Sequence, residues 1–102
     1  MQIDFERAFE VIAEAMVRAA KDCSFSTAST EAERNGLIEQ GDGKPSQRHV
    51  WERSEKGNTL RFQWRWYDQS KAFSIQPDMN IMSLELRQGE VILRSAEERY
   101  QD

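Results

Sequence analysis

Leu60-Arg61-Phe62-Gln63-Trp64-Arg65-Trp66-Tyr67 decides how this chain folds. Leu60, Phe62, Trp64 and Trp66 alternate with Arg61, Gln63, Arg65 and Tyr67. A period of two puts the apolar set on one side of an extended chain and the polar set on the other, as in a half-buried strand. Working outward, Arg48 to Ser54 reads as a preceding strand, joined through the turn residues Glu55-Lys-Gly-Asn58. After Asp68-Gln-Ser-Lys71 a further strand is expected at 72–76, with Phe73 and Ile75 on one face, ended by Pro77-Asp78. Ile81 to Arg87 sets Met82, Leu84 and Leu86 on one side, and Gln88-Gly89 turns it into a last strand from Glu90 to Ser95. Ser95-Ala-Glu-Glu98 matches a capping box and predicts a terminal helical turn.

Connections this short cannot make parallel crossovers, so the expected sheet is an antiparallel meander of about five strands. The faces sort consistently. Leu60, Phe62, Trp64, Trp66, Phe73, Ile75, Met82, Leu84, Leu86, Val91 and Leu93 fall on one side. Arg61, Gln63, Arg65, Ser74, Gln76, Ser83, Glu85, Arg87 and Arg94 fall on the other. An antiparallel sheet with one wet face sorts in this way.

The cover for the apolar face lies at the start of the chain. In residues 4–21, Phe5, Phe9, Ile12, Met16 and Ala20 recur at spacings of 4, 3, 4 and 4, which is one helical face. Ala8, Ala13 and Val17 widen the stripe, Asp4 is placed to cap it, and Glu14 with Arg18 forms an i,i+4 pair. The hydroxyl-rich run Cys23 to Thr30 is expected to end this helix, because such side chains compete for backbone hydrogen bonds. Thr30-Glu-Ala-Glu33 then suggests a second short helix through about Glu39, followed by a loop at Gly41-Asp-Gly-Lys-Pro45. The fold class is therefore α+β, with an N-terminal amphipathic helix and a short second one on one face of the meander. The 102 residues suffice for a single domain over 1–102.

Composition narrows the function. Ten aromatic residues and balanced charges mark a globular chain. The net charge of −4 argues against general nucleic-acid binding. Charge is uneven: residues 1–43 carry nine acids against four bases, whereas 44–76 carry seven bases against three acids. With Cys23 as the only cysteine there is no intrachain disulfide to form, which suits the cytoplasm. The first residues lack the basic and apolar regions of a signal peptide, and no apolar run approaches the roughly 20 residues of a membrane helix.

Motifs for chemistry are sparse. Cys23 and His49 are the only residues of their kinds, too few for a structural zinc site. As a nucleophile and base they lie in unrelated segments, and the simpler reading is a small residue at a helix end and an ordinary strand residue. Gly41-Asp-Gly-Lys-Pro45 lacks the first glycine and the final Ser or Thr of a phosphate loop. No cofactor or metal is called for. Interleaved Arg and Trp at 61–67 resemble a single-strand nucleic-acid platform, but the Trp residues fall opposite the Arg residues.

Two functions follow as expectations. The first is a non-catalytic interaction protein, self-associating as a homodimer or binding another protein. It would act through a polar Arg-rich sheet face formed by Arg61, Arg65, Arg87 and Arg94, or through a sheet edge. The second is small-molecule binding in a pocket lined by Trp51, Phe62, Trp64, Trp66 and Phe73, between helix and sheet.

Overall fold

The computed structural model describes residues 3–40, 48–67 and 79–101. Two helices, α1 (Phe5–Asp22) and α2 (Ser26–Arg34), precede five strands: β1 (Ile38–Glu39), β2 (Arg48–Glu55), β3 (Asn58–Tyr67), β4 (Met79–Gln88) and β5 (Val91–Gln101). The strands form one antiparallel sheet in the order β1-β2-β3-β4-β5, so each pairs with its neighbour in sequence. This is the expected α+β meander with helices on one face.

α1 follows its periodicity closely. The Asp4 side chain accepts a hydrogen bond from the Arg7 amide at 3.1 Å and caps the first turn. At the other end Cys23 adopts the left-handed conformation (φ 51), and the Ser24 amide returns to the Ala19 carbonyl at 3.0 Å. Phe9, Ile12 and Met16 are buried against the sheet, where Leu60, Phe62, Met82, Leu84 and Leu86 meet them. Each such side chain stabilises the fold by about 1.5–3 kcal/mol relative to exposure. Ala15 and Ala19 of α1 and Ala28 and Ala32 of α2 are fully buried, small enough to let the two helices approach closely.

Three expectations need correction. α2 begins at Ser26, so Thr30 stands inside the helix rather than at its cap. The hydroxyl run is helical because Ala28 and Ala32, four residues apart, bury fully and outweigh the weak propensity of Ser and Thr. The helix also stops early: Asn35 caps it, Gly36 turns the chain at φ 90, and Ile38–Glu39 form β1 instead of a last helical turn. Finally, no helical turn starts at Ser95. β5 continues to Gln101, paired with β4 throughout. The strand expected at 72–76 and the loop at 41–45 lie outside the described residues, and β1 supplies the fifth strand.

The β2–β3 hairpin turns at Lys56 and Gly57, both at positive φ (50 and 83). Such two-residue turns match the right-handed twist of the strands they join. β4 and β5 are not in perfect register. Leu86 pairs with Arg94 but Arg87 pairs with Ile92, so Leu93 is an extra residue, a β-bulge. Beyond it, Arg94, Ala96, Glu98 and Tyr100 face the helices together with Leu86, Leu84, Met82 and Asn80.

Arg53 and Glu55 fasten the start of the chain to the sheet. Arg53 Nη2 donates to Glu55 Oε2 at 2.9 Å, the Ile3 amide donates to Glu55 Oε1 at 3.1 Å, and Arg53 Nη1 reaches the Gly36 carbonyl at 3.3 Å. The Arg53 bond first, and the Ile3 amide second, hold the Glu55 carboxyl below the usual carboxylate range. A depressed folded-state pKa stabilises the fold above the unfolded carboxylate pKa and loses that contribution as pH falls through the folded value. In Glu55→Gln, the acid side of the stability profile is expected to flatten while stability at neutral pH falls. Denaturant midpoints measured between neutrality and acid pH check both.

Candidate interaction surfaces

Both helices stand on one face of the sheet, and the opposite face is uncovered among the described residues. Register assigns its residues. Glu52 of β2 lies opposite Arg61 of β3, which lies opposite Glu85 of β4 and then Ser95 of β5. Gln63 and Ser83 make the next row, and Thr59 and Arg87 the row on the other side. The charges alternate and pair within the face: Arg61 Nε donates to Glu52 Oε2 at 2.6 Å, Arg87 donates to Glu85, and Arg99 Nε donates to Glu97 Oε2 at 3.1 Å. Two shallow depressions, about 420 and 270 Å³, run across it and share Arg61, Glu85 and Arg87.

The expected Arg face is therefore only partly as read. Arg61, Arg65 and Arg87 are on the uncovered face, but Arg61 and Arg87 already hold carboxylates from their own sheet. Exposed pairs of this kind contribute little to stability, so a partner can exchange them at small cost. Arg94 is elsewhere. The bulge at Leu93 turns it to the helix side, where Nη1 lies 3.1 Å from Glu6 Oε2 and 3.5 Å from Glu10 Oε1, and the guanidinium carbon sits 4.4 Å from the centre of the Phe9 ring. It ties α1 to β5 instead of joining the Arg face.

Of the aromatic residues expected to line a pocket, Trp51 packs on Phe62, and Trp51 and Trp64 both meet Phe25. Phe62 is fully buried and Trp51 nearly so, with ring centroids 5.4 Å apart. Phe25, just before α2, stacks on Trp64 at 4.1 Å and also meets Trp51 at 6.4 Å. Both indoles find acceptors: Trp51 Nε1 donates to Glu33 Oε1 at 3.0 Å, and Trp64 Nε1 donates to Asn80 Oδ1 at 2.9 Å. Trp66 is half-buried on the same side of β3, and Phe73 lies outside the described residues. None of the four depressions described is lined by Trp51, Phe62, Trp64 or Trp66. The largest, about 540 Å³, opens instead between the chain start, the end of α2 and Arg53.

His49 closes this cluster on its outer side. Its ring lies 5.2 Å from Trp64 and 6.2 Å from Trp51, and Nδ1 is 3.1 Å from Glu39 Oε1. Cys23 is exposed at the end of α1. His49 is thus paired with a carboxylate, not with the thiol. Among the described residues, no group of three or more His, Cys, Asp or Glu is placed to hold a metal ion, and no helix is long and apolar enough to cross a membrane.

Sequence reading missed Phe25 as a partner of the tryptophans. Its only signal was one large aromatic in a run of Ser, Thr and Ala, 26 residues before Trp51. It also missed the outer border of the sheet. β5, at 11 residues the longest strand among the described residues, forms that border, and Val91, Ile92 and Leu93 at its start are 62%, 50% and 45% exposed.

No known protein family, curated protein or solved structure matches this chain.

Proposed function

We propose that this chain is a non-catalytic interaction protein, binding another polypeptide through the uncovered face or the outer edge of its sheet. The observation that carries the reading is the one-sided placement of the helices. Five paired strands present an exposed face of alternating, exchangeable ion pairs and end on a long strand whose start is apolar and exposed. Interfaces are rich in Arg, and sheet edges offer unpaired backbone groups that a partner strand extends. Trp51, Phe62 and Trp64, three of the residues that would form a ligand pocket, pack into the core between helices and sheet, which weighs against the small-molecule alternative.

Native mass spectrometry of the protein as isolated tests this. The expected mass exceeds the 11.9 kDa of one chain by that of a further polypeptide. If the face carries the contact, reversing Arg61 and Arg65 to Glu together returns the mass to a single chain. A single chain that instead retains a stoichiometric small molecule sinks the reading.

A further inference from the structure

Natural proteins blunt exposed sheet edges with short strands, charged side chains, Pro or bulges. β5 is long and contains no Pro, its bulge at Leu93 leaves Arg94–Gln101 regularly extended, and its charges are of both signs, Arg94 and Arg99 against Glu97 and Glu98, so a second strand can pair with them. On its outer side no strand pairs with it among the described residues. We infer that this edge pairs antiparallel with β5 of a second copy about a twofold axis at Ala96, joining two five-stranded sheets into one. The inference rests on the interaction-protein reading and names its partner.

The register comes from charge. Directly opposite residues of an antiparallel pair share a face, and opposite charges there attract while like charges repel. An axis at Ala96 sets Arg94 of each chain against Glu98 of the other, and Ser95 against Glu97. An axis at Ser95 sets Arg94 against Ala96 and loses both ion pairs. Axes at Glu97 and Glu98 each set one glutamate against its own copy. An axis between residues turns the helices of the two copies to opposite faces.

α1 agrees with the Ala96 axis. It runs alongside β5, with Glu6 and Glu10 on Arg94 near its start and the Phe25 amide donating to the Tyr100 hydroxyl at 2.9 Å beyond its end. Glu6, Glu10, Ala13 and Val17 follow at spacings of 4, 3 and 4, one stripe along the helix. Two strand residues beyond Arg94 span about 6.6 Å, or between four and five helical residues, which brings Ala13 above Ala96. Because α1 lies over both β4 and β5, the twofold would set the two α1 axes roughly 10 Å apart, within helix-packing range. The small Ala13 falls where they cross. Val17, 42% exposed in one chain, gains cover one turn on, and Val91, Ile92 and Leu93 lie along the last residues of the partner strand.

Sedimentation and native mass spectrometry of the full chain at micromolar concentration are expected to show a dimer. Glu98→Arg turns both Arg–Glu pairs into Arg–Arg pairs and is expected to raise the dimer dissociation constant about tenfold or more, with the circular dichroism spectrum unchanged. A cross-link fixes the register. In a Cys23→Gly background, which suits the left-handed φ of 51, Ala96→Cys is expected to join two chains by a disulfide on mild oxidation. Ser95→Cys, facing Glu97, is expected to leave them unjoined. A single chain at every concentration overturns the self-pairing. So does a dimer indifferent to Glu98→Arg that Ala96→Cys fails to cross-link, although such a dimer, or a complex with a different polypeptide, leaves the interaction-protein reading standing. A single chain holding only a small molecule removes both.

Discussion

Phe62→Ala is expected to lower the unfolding free energy by about 3–5 kcal/mol, the cost of emptying a fully buried aromatic site. Phe62 sits mid-strand in β3, with Trp51 opposite it on β2 and Leu84 opposite it on β4. The helices that cover it are held by many other contacts, so the space left behind cannot close by a small shift of one element. A domain of this size has only about 5–15 kcal/mol of stability, so a large part of it is at stake. Urea denaturation followed by circular dichroism reads the effect as a lower midpoint with an unchanged slope. A loss under about 1 kcal/mol would show that Phe62 does not stand at the centre of the core.

Trp64→Ala is expected to cost nearly as much, about 3 kcal/mol or more, for a different reason. Trp64 is only partly buried, but it holds three things at once. Its ring stacks on Phe25 and so fastens the start of α2, its indole donates to the buried Asn80, and its outer side carries His49. Trp64→Phe separates these roles. It keeps most of the stacking surface and removes the donor to Asn80, for an expected loss of about 1–3 kcal/mol. If the two variants lose the same amount, the hydrogen bond dominates. If Trp64→Phe matches the parent protein, the stacking on Phe25 dominates.

Much of the fold was legible because two periods are written plainly into the chain. The apolar stripe from Phe5 to Ala20 gives α1, and the alternations at 60–67 and 81–87 give the two central strands. What escaped was decided by neighbours in space. Residues 95–101 contain Glu, Ala, Arg and Gln, which favour helices, and the pairing of each with β4 overrides that preference. The alternation of Arg94, Ala96, Glu98 and Tyr100 was present but weak, since only Tyr100 buries deeply. α2 was misplaced because its two decisive residues are alanines, which carry little hydrophobic signal until another helix lies on them.

The candidate surfaces were less legible than the fold, and the bulge explains why. One extra residue in a strand moves every later side chain to the other face. Leu93 is that residue, so Arg94 left the Arg face for the Glu6–Glu10 side of α1. The alternation of acids and bases on the uncovered face was visible for Arg61, Glu85 and Arg87, but the Glu52–Arg61 contact depends on the β2–β3 register. The contact of Phe25 with Trp64 spans 39 positions and has no local trace.

The neighbour-by-neighbour order of the strands bears finally on how fast the chain finds its structure. Every described strand closes on the one before or after it, so the sheet zips up hairpin by hairpin, and distant parts of the chain are joined chiefly by the helix side, where α1 docks on β4 and β5 and Phe25 meets Trp64 and Tyr100. Closing a short loop costs little entropy, and proteins rich in such contacts fold quickly for their size. The β2–β3 and β4–β5 turns even touch, the Gly89 amide donating to the Gly57 carbonyl at 2.9 Å. Changes in these turns should therefore slow folding, whereas changes where α1 rests on β5, such as at Arg94, should mainly hasten unfolding.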